Sequence, residues 1–198
     1  MMPVQRQPAP GDFEKKVGAR GRRVLTKHLP QPPVASTFWK GKEHWTKALG
    51  DLMSAYGQIR AFSCFRIELV TGSRSVEHFK PKSMYPASAY DWDNFRLVCS
   101  LMNGRKGDHE DILDPFTMPA RVFDLEPLKG RLLIHRKCPK DIRSEAQRTI
   151  DRLRLNSDDC IKLRQDHLTK ILGKDWSLAE ARRQSPFLVA CLEEQGLL

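Results

Sequence analysis

The chain has 198 residues, 40% of them hydrophobic, with a formal net charge of +10. That is enough apolar material for one packed domain of moderate size, and the positive excess favours a polyanionic partner, nucleic acid first, over a basic but inert surface. Membrane spanning is excluded by the longest apolar run, FLVACL at 187–192, far short of the ~20 residues a span needs. The five cysteines (Cys64, Cys99, Cys138, Cys160, Cys191) are scattered without a C-x-x-C pair, so neither a disulfide framework nor a self-evident zinc cluster is indicated. With no hydrophobic signal region after Met1, the chain is expected to be soluble and cytoplasmic.

Residues 1–35 are rich in proline and glycine and carry seven Lys/Arg against Asp12 and Glu14. They are expected to form an extended basic arm, with 36–198 as a single domain. GARGRR at 18–23 suits a grip on phosphates and suits a solvated tail equally well. Over 43–59 the spacing of Trp45, Leu49, Leu52, Met53 and Tyr56 predicts a helix with one apolar stripe. Phe62–Val70 reads as a strand, TGSRS as a turn and Val76–Lys80 as a second strand. Pro81 and Pro86 predict a loop to about Phe95. FRLVCSLMNGRKGD then predicts a short helix ending around Gly104–Gly107. LKGRLLIH at 128–135 fits a short hairpin. Helices dominate about 141–196: Asn156 ends one, Ser157 caps the next with Asp158 and Asp159 in its first turn, and Ser185-Pro186 opens the last. The sum is an α+β fold.

Three stretches within 30 residues carry chemistry. SVEHFKPKS places Glu77 beside His78, YDWDNFRLVC places Asn94 before the predicted helix, and CSLMNGRKGD places Asn103 three residues before Lys106. Hydrolysis of a phosphodiester needs a base for water, and a neutral histidine suits that near pH 7. It also needs a cation at the phosphate; a hard divalent ion, Mg²⁺ or Mn²⁺, takes oxygen ligands such as the Glu77 carboxylate and the Asn103 amide. Neighbours on a strand point to opposite faces, so Glu77 and His78 share a site only if the strand ends or bends there. Lys106 lies on the helix face of Asn103 and is expected to bind a phosphate, with Lys80, Lys82 and Arg105 as further nucleic-acid contacts.

These stretches resemble the HNH endonucleases and their ββα-metal motif. The resemblance implies His78 as general base, Asn94 supporting the active-site loop, and Glu77 and Asn103 as metal ligands, with a ββα core at about 62–108 embedded in a mostly helical domain. Most members have Asp where Glu77 stands. EHFKPKS, YDWDN, NGRKGD, LDP at 113–115 and TIDRLRLN at 149–156 together look like the HNH subunit of Septu-type anti-phage systems, with relatives in some retron systems. This likeness covers roughly residues 60–165 and implies an ATPase partner. Many relatives brace the motif with a structural zinc on two C-x-x-C pairs. Here those positions are Ala61 with Cys64 and Cys99 with Met102, so that zinc is expected to be absent, with Ala61 and Met102 packed apolarly.

Three readings follow: a metal-dependent DNA endonuclease, an RNA or tRNA nuclease using the same chemistry, and a basic nucleic-acid-binding subunit that keeps the shape without the activity. The absence of an aromatic-rich reading surface favours DNA over RNA.

Overall fold

A computed structural model describes residues 1–68 and 73–198. Among these, seven α-helices and two antiparallel strand pairs form an α+β fold, as the sequence patterns predict. Backbone contacts divide the chain into two compact units. One comprises Met1–Gln5, Ala61–Arg66 and Asp111–Leu198; the other comprises Arg6–Arg60 and Ile67–Glu110.

The second unit holds the ββα element. Strand β1, Arg74–His78, pairs antiparallel with β2, Phe95–Cys99, placing Glu77 opposite Arg96 and His78 opposite Phe95. Helix α3, Ser100–Lys106, follows β2 directly and ends at Gly107, whose φ of +48° favours glycine. Two expectations need correction. Residues 95–99 are a strand, not the start of the helix. Phe95, Leu97 and Val98 are all buried, and a short apolar run covered on both faces has the same look in either conformation. The hairpin partner of β1 is therefore β2 and not Phe62–Val70. No strand forms among 62–68, because Cys64 turns the backbone with a φ of +55°; Leu69 and Val70 lie outside the described residues.

The segment expected to be an extended arm is helical. A π-turn over Glu14–Gly18 leads into helix α1, Ala19–His28. Phe13 and Val17 enter the unit's core, with the Phe13 ring edge-on to Trp92 at 5.4 Å and to Phe95 at 6.0 Å. A glycine of the kind that marks a loose segment is what docks this one: a Cβ at Gly21 would lie 2.0 Å from the Tyr90 ring. Gly21→Ala is therefore expected to destabilise the protein by about 1–3 kcal/mol through overpacking, against the ~1 kcal/mol that helix propensity would gain. The urea midpoint measures this, and a variant at least as stable as the parent would mean that α1 is not docked. The predicted helix over 43–59 is present in shorter form, as a 3₁₀ turn at His44–Ala48 and helix α2 at Leu49–Ala55. Trp45, Leu52 and Met53 are buried, and Leu49 and Tyr56 pack against them.

The first unit contains the hairpin of β3, Phe123–Glu126, and β4, Arg131–Ile134, earlier and longer than the one predicted at 128–135. Helices α4 (Arg143–Arg152), α5 (Asp158–Leu172), α6 (Leu178–Gln184) and α7 (Pro186–Glu194) follow. Ser157 and Ser185 occupy the expected N-cap positions without making a side-chain cap. The Ser157 hydroxyl donates to the Arg154 carbonyl at 2.7 Å, and Ser185 Oγ meets His167 Nδ1. Helix α6, which the sequence patterns do not single out, does have a side-chain cap, Ser177 accepting from the Glu180 amide at 3.2 Å. Asn156 does more than stop a helix. Its side chain pairs with both backbone groups of Leu132 at 2.8 and 2.9 Å, and the buried Arg164 ties it to the Gly130 and Leu155 carbonyls.

Candidate active site

Strand β1 and helix α3 form a seam on which the chemistry-bearing side chains sit. Ser75 and Glu77 are two residues apart and share one face of β1; Asn103 and Lys106 are three apart and share one face of α3. The two pairs meet in order. Asn103 Nδ2 donates to Ser75 Oγ at 2.5 Å and approaches the Val76 carbonyl at 3.4 Å. Lys106 Nζ lies 3.0 Å from Glu77 Oε1, 3.1 Å from the His78 carbonyl and 3.3 Å from the Gly107 carbonyl. Glu77 is 3% exposed and Lys106 is fully buried, so this is an ion pair taken out of water. Burial outweighs the attraction and pushes the Glu77 carboxyl up to about 7, with Lys106 and Lys82 pulling it down. Lys106, expected to bind a phosphate, here has its ammonium turned inward onto Glu77.

His78 is the last residue of β1 and faces the other way, as strand alternation requires. Its ring is edge-on to Trp45 at 4.8 Å and to Phe95 at 5.3 Å, and its Nε2 lies 2.9 Å from the Ala89 carbonyl. A carbonyl only accepts, so Nε2 carries the proton and the neutral ring keeps its lone pair on Nδ1. No hydrogen-bond partner holds Nδ1 among the described residues. Burial, with Lys82 and Lys106 adding like charge, pushes the ring down to about 3 against the pull of the Ala89 bond. Lys82 and Lys106 thus act on both Glu77 and His78.

The His78 shift has a consequence for acid stability. A histidine whose folded value lies below its unfolded one contributes stability above pH 6.5, and that stability drains away as pH falls toward 3, because the unfolded chain binds the proton more readily. Glu77 works in the opposite sense between pH 7 and 4.5, since its folded value is raised. Comparison with His78→Gln cancels the Glu77 contribution. The parent is expected to lose about 2–3 kcal/mol relative to the variant between pH 6.5 and 4.5, at ~1.4 kcal/mol per pH unit. Urea titrations at the two pH values read this difference, and an equal change in stability in parent and variant would show that the ring is solvated.

Asn94 clamps the segment that joins the strands. Its Oδ1 accepts from the Lys80 amide at 2.7 Å, and its Nδ2 donates to the Lys80 and Ser88 carbonyls at 3.0 Å each. It does not touch the His78 ring; it holds both ends of the loop whose Ala89 carbonyl orients that ring. The ammonium of Lys80 lies 5.9 Å from the Tyr85 ring, and that of Lys82 lies 5.6 Å over the Trp45 ring. Lys80 is exposed, and Arg105 is half-buried on α3, outside the Asn103–Lys106 face. Arg96 is 2% exposed, donates to the Asp93 and Phe95 carbonyls and lies over Phe79, so it serves the backbone and not the surface. Two parts of the site lie beyond the reach of sequence patterns. Helical spacing assigns Trp45 only to the core stripe, and the Ala89 carbonyl is a backbone group with no residue signature.

Among the described residues, no group of three or more His, Cys, Asp or Glu could hold a metal ion. The seam nonetheless suits a hard cation by its donors. Glu77 Oε1 and the His78 and Gly107 carbonyls already surround one positive charge, the Lys106 ammonium, with oxygen atoms. Asn103 lies next along the same seam, engaged by Ser75 and not by Glu77. Ala61 and Met102 are buried, as expected of positions that pack apolarly.

No family model matches the chain. The Septu protein PtuB of Bacillus thuringiensis is 31% identical over 84 residues. The match takes in 42% of this chain and 31% of that protein. The chain is thus similar to a Septu protein over less than half of its own length and about a third of the relative's. No helix among the described residues is long and apolar enough to cross a membrane.

Proposed function

We propose that the chain is a metal-dependent HNH endonuclease that hydrolyses DNA phosphodiester bonds as the effector of a Septu-type anti-phage system, alongside an ATPase partner. The observation that carries this reading is the His78 ring: neutral, fixed by the Ala89 carbonyl through Nε2, and left with an unshared lone pair on Nδ1 at the end of the strand that also carries Glu77. Such a ring takes a proton from an attacking water through Nδ1 while Nε2–H···O=C prevents it from turning. Asn94 keeps that carbonyl in place by closing the loop on both sides. Lys82 supplies positive charge where a phosphate would approach. Glu77 and Asn103 would hold a divalent cation, in exchange with Lys106 at the Glu77 carboxylate. Such an ion, when bound, supplies neutralisation of the phosphate and leaving oxygen. The Septu likeness supports the defence role, and the +10 charge supports a nucleic-acid substrate.

The test is incubation of the full chain with supercoiled plasmid and with RNA, each in Mg²⁺ and in EDTA. Nicking of the plasmid in Mg²⁺ alone is the expected result. Cleavage of RNA with the plasmid left intact would move the substrate, and no cleavage of either would leave a binding subunit.

A further inference from the structure

Helix α1 carries its positive charge in two different ways. On one side the cations have acidic partners: Arg22 pairs with Glu14, and Lys16 pairs with Asp12 at 2.7 Å and Asp51 at 3.5 Å. On the other side Lys15, Arg20, Arg23 and Lys27 are exposed and have no ion pair among the described residues. These four line one wall of a cleft of about 660 Å³, whose opposite wall includes Lys42 and His44. Among the described residues no Asp or Glu lines it. Burial, and then the charges of Lys47 and Arg20, hold the half-buried His44 ring below its ordinary range, against the pull of Glu43.

A solvated tail would carry such charges loosely, but here they are fixed. Phe13 and Val17 anchor the preceding turn in the core, and Gly21 seats the helix against Tyr90. The cleft and the His78 site belong to the same unit and share a wall: His44 lines the cleft, and the next residue, Trp45, packs on the His78 ring and lies under Lys82. Rigid, uncompensated cations along about 18 Å of helix, at ~1.5 Å per residue from Lys15 to Lys27, suit a chain of repeating anions better than a single small one.

We infer that the cleft between α1 and the Gly41–His44 segment is a binding track for the phosphodiester backbone of nucleic acid, held by Arg20, Arg23 and Lys27 and leading over Trp45 to His78. The inference deepens the nuclease reading of His78 and rests on it for the identity of the polymer. The contacts are to phosphates, so the track positions substrate without reading its sequence.

The experiment measures binding apart from chemistry. Fluorescence anisotropy of a DNA duplex in EDTA, across a salt series, compares the parent with Arg20→Gln/Arg23→Gln/Lys27→Gln and with Lys16→Gln/Arg22→Gln on the paired side. The triple variant is expected to bind at least about 10-fold more weakly, with a salt slope shallower by about 2–3, near 0.9 for each phosphate no longer neutralised. The paired-side variant should retain the parent's slope. Hydrolysis of bis(p-nitrophenyl) phosphate in Mg²⁺, a diester too small to use the track, should be unchanged in the triple variant. Absence of that hydrolysis in the parent counts against the nuclease reading alone, since the anisotropy still reads the track. Parent-like affinity and slope in the triple variant would overturn the inference. So would equal losses in both variants, which would indicate a diffuse field, or capture of the protein by anionic phosphatidylserine vesicles and not by DNA.

Discussion

His78→Ala is expected to lower Mg²⁺-dependent plasmid cleavage by a factor of about 10²–10⁴, the usual contribution of a positioned general base. On the proposed mechanism the loss follows from the Nδ1 lone pair, which the Nε2–H···O=C bond to Ala89 leaves unshared. It is not a matter of charge, because a ring held at about 3 is neutral near pH 7. Alanine also removes a ring that packs on Trp45 and Phe95, so folding must be checked separately. His78→Gln fills more of that space and keeps a donor for the Ala89 carbonyl, while offering no base of useful strength. The two variants should therefore be equally inactive although they differ in stability. Full activity in His78→Ala, or activity that tracks stability across the pair, would remove His78 from the chemistry.

Lys106→Met carries the largest expected effect on stability. It leaves the Glu77 carboxylate buried without its ion-pair partner, and breaking one side of a buried pair costs about 3–5 kcal/mol. The cost depends on pH in a defined direction. Glu77 already sits near 7 with Lys106 beside it, and loss of the ammonium raises it further. A raised carboxyl is one the folded chain protonates more readily, so the penalty is fully present above the folded value and shrinks as pH falls toward 4.5. Urea unfolding should accordingly find the variant weakest near pH 8 and closest to the parent near pH 5. Adding Glu77→Gln removes the stranded charge, and Lys106→Met/Glu77→Gln should recover about 2 kcal/mol or more at pH 8 relative to the sum of the single losses. A single-variant loss below about 1 kcal/mol at pH 8 would mean that Lys106 faces water.

The Glu77–Lys106 pair also explains why the seam is only partly legible in the sequence. Spacing on α3 puts Asn103 and Lys106 on one face, and they do share one. Which way that face turns is decided by packing: α3 follows β2 without a loop and lays its Asn103–Lys106 edge on β1, so a lysine expected to bind a phosphate is buried. Arg96 has the look of a surface cation for the same reason, yet its place opposite Glu77 in the sheet turns it under Phe79.

The sequence by itself determined the residue types and their order: an acid beside a histidine at a strand end, an asparagine before an apolar run, and an asparagine and a lysine three apart on a helix. Local rules suffice for these, because strand alternation, helical spacing and the Pro81 and Pro86 breaks act over a few residues. The same rules located α2, α4, α5 and α7. Only the tertiary structure decided which strand pairs with β1, that residues 13–28 are a docked helix and not an arm, and which nitrogen of His78 carries the proton. Each of these depends on partners distant along the chain: β2 for the pairing, Tyr90 and Trp92 for the helix, the Ala89 carbonyl for the ring. A short apolar run has no period to distinguish strand from helix, a glycine-rich basic segment looks loose until its glycine meets a ring, and a backbone carbonyl carries no sequence signature.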